Sequence, residues 1–150
     1  MAMRNAYVDQ FPKEARVIRA TLWSSFLALL IGGTLGLIQG LHRTNVLRFI
    51  QSQDYYTVLT AHGVLLVVTF TIFFLVGIFT WAVTTSLDRG VQDIRFTWGW
   101  YIMMVIGTIL VGVSILGGVV KQIPMNADVL FTFYSPLQPP ARFYVYYIFF

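Results

Sequence analysis

Tyr55-Tyr56-Thr57-Val58-Leu59-Thr60-Ala61-His62-Gly63-Val64-Leu65-Leu66-Val67-Val68-Thr69-Phe70 opens an apolar run that continues almost without polar interruption to Thr84. Between Thr57 and Thr84 there is no Asp, Glu, Lys or Arg, and the one ionisable side chain is His62. An apolar stretch of about 18 residues or more reads as a transmembrane helix. An ionisable residue inside such a helix is costly and marks a functional site by default. His62 is therefore the residue that a functional account must explain.

Working outward, the composition agrees with a membrane setting. The 150 residues are 57% hydrophobic and 11% charged, with a mean hydropathy of +0.73. Soluble domains carry roughly 25% charged residues. The net charge of +4 is spread over the loops. It suits anionic lipid headgroups, and no basic run is dense enough for nucleic acid. The absence of cysteine excludes disulfides, thiolate metal sites, iron–sulfur clusters and covalently attached haem of the c type.

The expected fold is an all-α membrane protein, a transmembrane helical bundle with three complete spans and the start of a fourth. The second span, Thr57 to Thr84, is long enough to require tilt or to extend past the hydrocarbon. Before it, the mixed-charge segment Met1 to Ala20 reads as a surface helix beginning near Pro12, with Val17 and Ile18 against the membrane. The first span is about 21–41. Gly32, Gly36 and Gly40 share one helical stripe there, which lets another helix approach closely. Gln39 is its one amide and is expected to bond to another helix. The connector from His42 to Tyr56 places His42 beside Arg43 at the water boundary, with Tyr55 and Tyr56 where an aromatic belt belongs.

The link from Thr85 to Thr97 holds Asp88, Arg89, Asp93 and Arg95. The third span is about 98–120, with Thr108 and Gly112, then Ser114 and Gly118, as further small-residue pairs for packing. Pro124, Pro136, Pro139 and Pro140 mark an irregular loop from Gln122 to Arg142. A last apolar run begins near 143 and stops at Phe150, too short to cross a bilayer. The chain accordingly reads as a fragment of something longer. Arg4, Lys13, Arg16, Arg19, Arg89 and Arg95 fall on one side, against Arg43, Arg48, Lys121 and Arg142 on the other. The bias favours a cytoplasmic N-terminus, which puts His62 in the outer leaflet.

Three readings of His62 compete. It is a structural histidine bonded to another helix, a member of a proton relay, or a ligand of haem iron. A relay needs further titratable groups at similar depth, and the spans offer none. A neutral imidazole ligates haem iron readily when its other ring nitrogen is held by an acceptor; the carbonyl of Val58, one turn earlier, is one candidate. Gly63 beside it lets a flat macrocycle lie close to the helix. Leu59, Leu65, Leu66 and Thr69 line the haem edge in that case and pack against a neighbouring helix otherwise. A second deep histidine is absent, so a second axial ligand has to come from elsewhere.

The string Tyr55 to Leu65, YYTVLTAHGVL, resembles the second-helix motif of subunit I of the haem–copper oxidases. Val129-Leu130-Phe131-Thr132-Phe133-Tyr134-Ser135-Pro136-Leu137 is similar to that family's stretch before its fourth helix, with Ser135 where the first Pro is usual. The resemblance implies that His62 is an axial ligand of a low-spin haem, b-type or a-type. It also implies that residues 1–150 are the N-terminal part of a single subunit I transmembrane domain. Copper and a second haem belong to the complete subunit, with no ligands for them on this chain. The implied function is reduction of O2 to water in a respiratory terminal oxidase, coupled to proton translocation. The implied partners are the lipid bilayer, the electron-entry subunit and other oxidase subunits. The electron donor is cytochrome c, a blue copper protein or quinol. The implied location is the prokaryotic plasma membrane. Residues 84–97 lack the Asn-rich pattern of the commonest branch and look more like the B branch. A nitric oxide reductase-like catalytic subunit and a non-catalytic helix-packing subunit are the alternatives.

Overall fold

The computed structural model describes residues 3–46 and 52–121. Within them the chain is helical, and no strand occurs among the described residues. The short α1 (Met3–Gln10) precedes α2 (Pro12–Arg43). The second span is α3 (Ser52–Gly63), a π-helical stretch (Val64–Phe70) and α4 (Thr71–Ser86), end to end. The third is α5 (Ile94–Lys121). Three stretches, Pro12–Arg43, Thr57–Ser86 and Ile94–Ile115, are long and apolar enough to cross a membrane. The irregular loop, Tyr134 and the apolar run from 143 lie outside the described residues.

The expected surface helix and first span are one helix. With Pro12 at its first turn, where a missing N–H costs nothing, α2 runs unbroken for 32 residues, roughly 48 Å. It ends in a Schellman motif. The Asn45 N–H donates to the His42 carbonyl at 3.0 Å and the Val46 N–H to that of Leu41 at 3.1 Å. Asn45 adopts φ 60°, a left-handed position that Asn tolerates. The helix end at Ser86 closes in the same way, with Asp88 at φ 48° and the Arg89 N–H on the Thr84 carbonyl at 3.3 Å. The third span starts four residues earlier than its first Trp. Asp93 caps it there, its carboxylate accepting the Arg95 N–H at 2.9 Å.

Helix α2 lies antiparallel to the second span along nearly its whole length. Leu22 stands against Gly77, Gly32 against Leu66, Gly36 against His62 and Gln39 against Val58. The third span closes the bundle at Phe73, which is 1% exposed and meets the edges of Trp100 and Tyr101 at 6.0 and 5.9 Å. The Tyr101 and Ser24 hydroxyls bond at 3.0 Å, tying α5 to α2. Trp23, Phe26 and Leu30 on α2 and Ile102, Ile106 and Ile109 on α5 are exposed. In water such faces drive association; in hydrocarbon they are the solvated surface.

The N-terminal helices hold the link between α4 and α5. The Tyr7 and Thr84 hydroxyls bond at 2.6 Å, the Gln10 amide donates to Asp88, and Glu14, itself buried, accepts the Val91 N–H at 3.0 Å. Gly90 belongs there because a Cβ would stand 2.7 Å from the Glu14 Oε1.

Candidate functional site: the seat of His62

His62 is the eleventh residue of α3, and Gly63 and the π-helical stretch follow it. Val64, Val67, Val68, Thr69 and Thr71 crowd this segment with β-branched side chains, which fit the preceding turn of an α-helix poorly. Hydrogen bonds from residue i to i+5 replace the usual pattern over seven residues, a rare arrangement found often at functional sites. Where the helix returns to α geometry, the Thr71 hydroxyl donates to the Leu66 carbonyl at 3.0 Å, satisfying an acceptor at the junction. Thr69, 2% exposed, has no partner for its hydroxyl.

The half-buried His62 ring lies on the backbone of α2. Its Nδ1 is 2.7 Å from the carbonyl oxygen of Gly32. A carbonyl can only accept, so Nδ1 is the donor in this bond. The Val58 carbonyl, the acceptor considered from sequence, is engaged otherwise. It accepts the Gln39 amide at 3.2 Å, and His62 reaches across to the neighbouring helix instead. The physical reason is access. A carbonyl on a ring's own helix is turned along the axis, whereas the glycines of α2 bring a second carbonyl within direct reach.

Those glycines differ in what they do. A Cβ on Gly32 would stand 2.7 Å from Leu66 Cδ2, and one on Gly36 would stand 2.6 Å from His62 Cε1 and 2.9 Å from Nδ1. At Gly40 and Gly33 nothing lies within 4 Å. Gly32 and Gly36 therefore carry the close approach expected of the stripe, and Gly40 does not. The amide of Gln39 bonds across helices as the sequence suggests.

A proton relay through His62 finds no second titratable group beside it among the described residues. The buried acid that sequence reading left in the surface segment is Glu14, near the opposite end of α2. It lies 22 positions from Gly36, roughly 33 Å along the helix. No pattern in the sequence separates Glu14 from its exposed neighbours Lys13 and Arg16. The buried hydroxyls of Thr21, Thr84 and Ser114 each donate to a carbonyl one turn back in their own helix, so they form no continuous wire. His42 lies at the other end of its helix, its ring 5.3 Å from that of Tyr55, and the Arg43 guanidinium donates to the Tyr55 hydroxyl at 2.7 Å. These groups mark the polar boundary, seven residues or about 10 Å along the helix from His62.

No cluster of three or more His, Cys, Asp or Glu that could hold a metal ion occurs among the described residues. An isolated metal ion would need such a cluster, whereas a haem would be held by a single imidazole from this chain. The residues fit the latter. With Nδ1 bonded to the Gly32 carbonyl, Nε2 is the nitrogen that would face the iron. Gly63 has φ −61° and ψ −47°, so the backbone does not require glycine there. Two apolar cavities of about 190 and 150 Å³ lie between α2, the second span and α5, lined by Leu65, Thr108 and their neighbours and not by His62.

Known proteins resemble this chain over nearly all its length. A family model described as cytochrome c and quinol oxidase polypeptide I matches residues 16–150. Cytochrome c oxidase subunit 1 of Thermus thermophilus is 31% identical over 157 aligned positions, covering 97% of this chain and 26% of that protein. The chain thus spans about a quarter of the length of that relative.

Proposed function

Because the chain belongs to the cytochrome c and quinol oxidase polypeptide I family, we propose that His62 supplies one axial ligand to a low-spin haem in a respiratory terminal oxidase. The observation that carries this reading is the bond from Nδ1–H to the Gly32 carbonyl at 2.7 Å. It fixes the tautomer, orients the ring and raises the donor strength of Nε2, as acceptors do for metal-bound histidines. The haem, when bound, takes up and passes on single electrons. The chain's own contribution is placement and environment. Gly32 and Gly36 admit the ring, Gln39 ties α2 to α3 one turn away, and the surrounding spans keep water and charge from the ligand.

In the wider reading, the complete protein takes electrons from cytochrome c, a blue copper protein or quinol through an electron-entry subunit. It reduces O2 to water at a haem–copper centre built by residues outside this chain and translocates protons. The 150 residues are the N-terminal part of its transmembrane domain, with the N-terminus cytoplasmic and the membrane a prokaryotic plasma membrane. A B-branch assignment draws support from the link after the second span. Asp88 accepts the Gln10 amide and Asp93 caps α5, so both acids have structural partners there.

The test uses the intact protein in its own membranes. Reduced-minus-oxidised difference spectra of His62→Ala are expected to lose the low-spin haem band while the protein still accumulates. An unchanged band excludes ligation and leaves His62 as a helix-packing residue.

A further inference from the structure

We infer that Gly36 is a positioning residue for the haem ligand, setting where His62 stands and how strongly its Nε2 donates. This rests on the haem reading of His62 and goes beyond it to a residue on another helix. A Cβ at position 36 would press on Cε1 at 2.6 Å and Nδ1 at 2.9 Å, two atoms of a rigid ring with no flexible end to swing aside. Van der Waals contact needs about 1 Å more than that. The ring cannot recede and keep its 2.7 Å bond to Gly32, because the same displacement lengthens that bond. Gly36 therefore protects the hydrogen bond as well as the space. Gln39 holds the frame, since its amide fixes the Val58 carbonyl one turn before His62.

The consequence is electronic. An imidazole that loses its acceptor at Nδ1 becomes a weaker donor at Nε2. A weaker donor stabilises ferric iron less, so the midpoint potential of the low-spin haem rises. Gly33 supplies the control. It lies on the same helix, a Cβ there meets nothing within 4 Å, and Gly→Ala favours the helix equally at both positions.

The experiment compares Gly36→Ala with Gly33→Ala in the intact protein, by potentiometric titration of the low-spin haem and by its ferric EPR spectrum. Gly36→Ala is expected to raise the potential and shift the g-values, or to lose the band, with Gly33→Ala matching the wild type. Equal behaviour of the two variants, in either direction, overturns the inference. If Gly36→Ala fails to accumulate, it is combined with His62→Gly. Accumulation restored to the level of His62→Gly alone identifies the ring as the clashing group, and no recovery overturns it. Nitrogen-15 NMR of histidine-labelled membranes, with the His62 signal identified by its loss in His62→Ala, reads the Nδ1 proton without reference to haem. A signal unchanged by Gly36→Ala overturns the seat. An intact haem band in His62→Ala overturns the ligand reading, so the two failures are told apart.

Discussion

An imidazole carried into hydrocarbon gives up hydrogen bonds to water, and one polar group left unpaired there costs several kcal/mol. His62 recovers one bond, from Nδ1 to the Gly32 carbonyl. On the haem reading proposed above, Nε2 is then the nitrogen left to ligate. Thr69 shows the opposite case, a buried hydroxyl with no partner. Thr69→Val removes the orphan at nearly constant shape and is expected to stabilise the protein by about 1 kcal/mol, measured by reversible unfolding in mixed micelles. Phe73, 1% exposed between α4 and α5, is the corresponding apolar anchor. Phe73→Ala is expected to cost about 3 kcal/mol through the cavity it leaves. A loss under about 1 kcal/mol would mean that the third span does not pack there.

At the scale of elements, α2 meets the second span through residues one turn apart on each side, with Gln39 closing the seam. Bonds of this kind average about 0.6 kcal/mol and reach about 1.7 in membranes. Gln39→Leu is expected to fall in that range by the same unfolding measurement, and a stabilised variant would contradict the seam. Asp93→Ala, which removes the cap of α5, is expected to cost about 1 kcal/mol. The helices, the apolar spans, the glycine contact and the bridging amide were legible in the sequence because hydropathy and small-residue spacing report them directly. Three features were not. Nothing marks Gly36 over Gly40, since only the partner helix decides which glycine faces a ring. The π-helical turn has no periodic signature apart from its β-branched residues, and Glu14 looks like its solvated neighbours. The identity of the acceptor for His62 was misjudged for the same reason, as it comes from a residue 30 positions away.

At the scale of the whole molecule, three antiparallel spans make a scaffold that holds the His62 ring against α2, near the end marked by Arg43 and Tyr55. The opposite end, around Glu14 and Val91, is tied by side-chain and backbone bonds to the N-terminal helices. The surroundings of His62 thus come from the first two spans, and Phe73, Trp100 and Tyr101 join the third span to them. The most direct measurement removes the ring and returns it as a free molecule. In the intact protein carrying His62→Gly, the low-spin haem signal is expected to be absent. Added imidazole is expected to restore it, with hyperfine coupling to nitrogen-15 when the imidazole is so labelled. A full low-spin signal in His62→Gly before any imidazole is added would contradict the account.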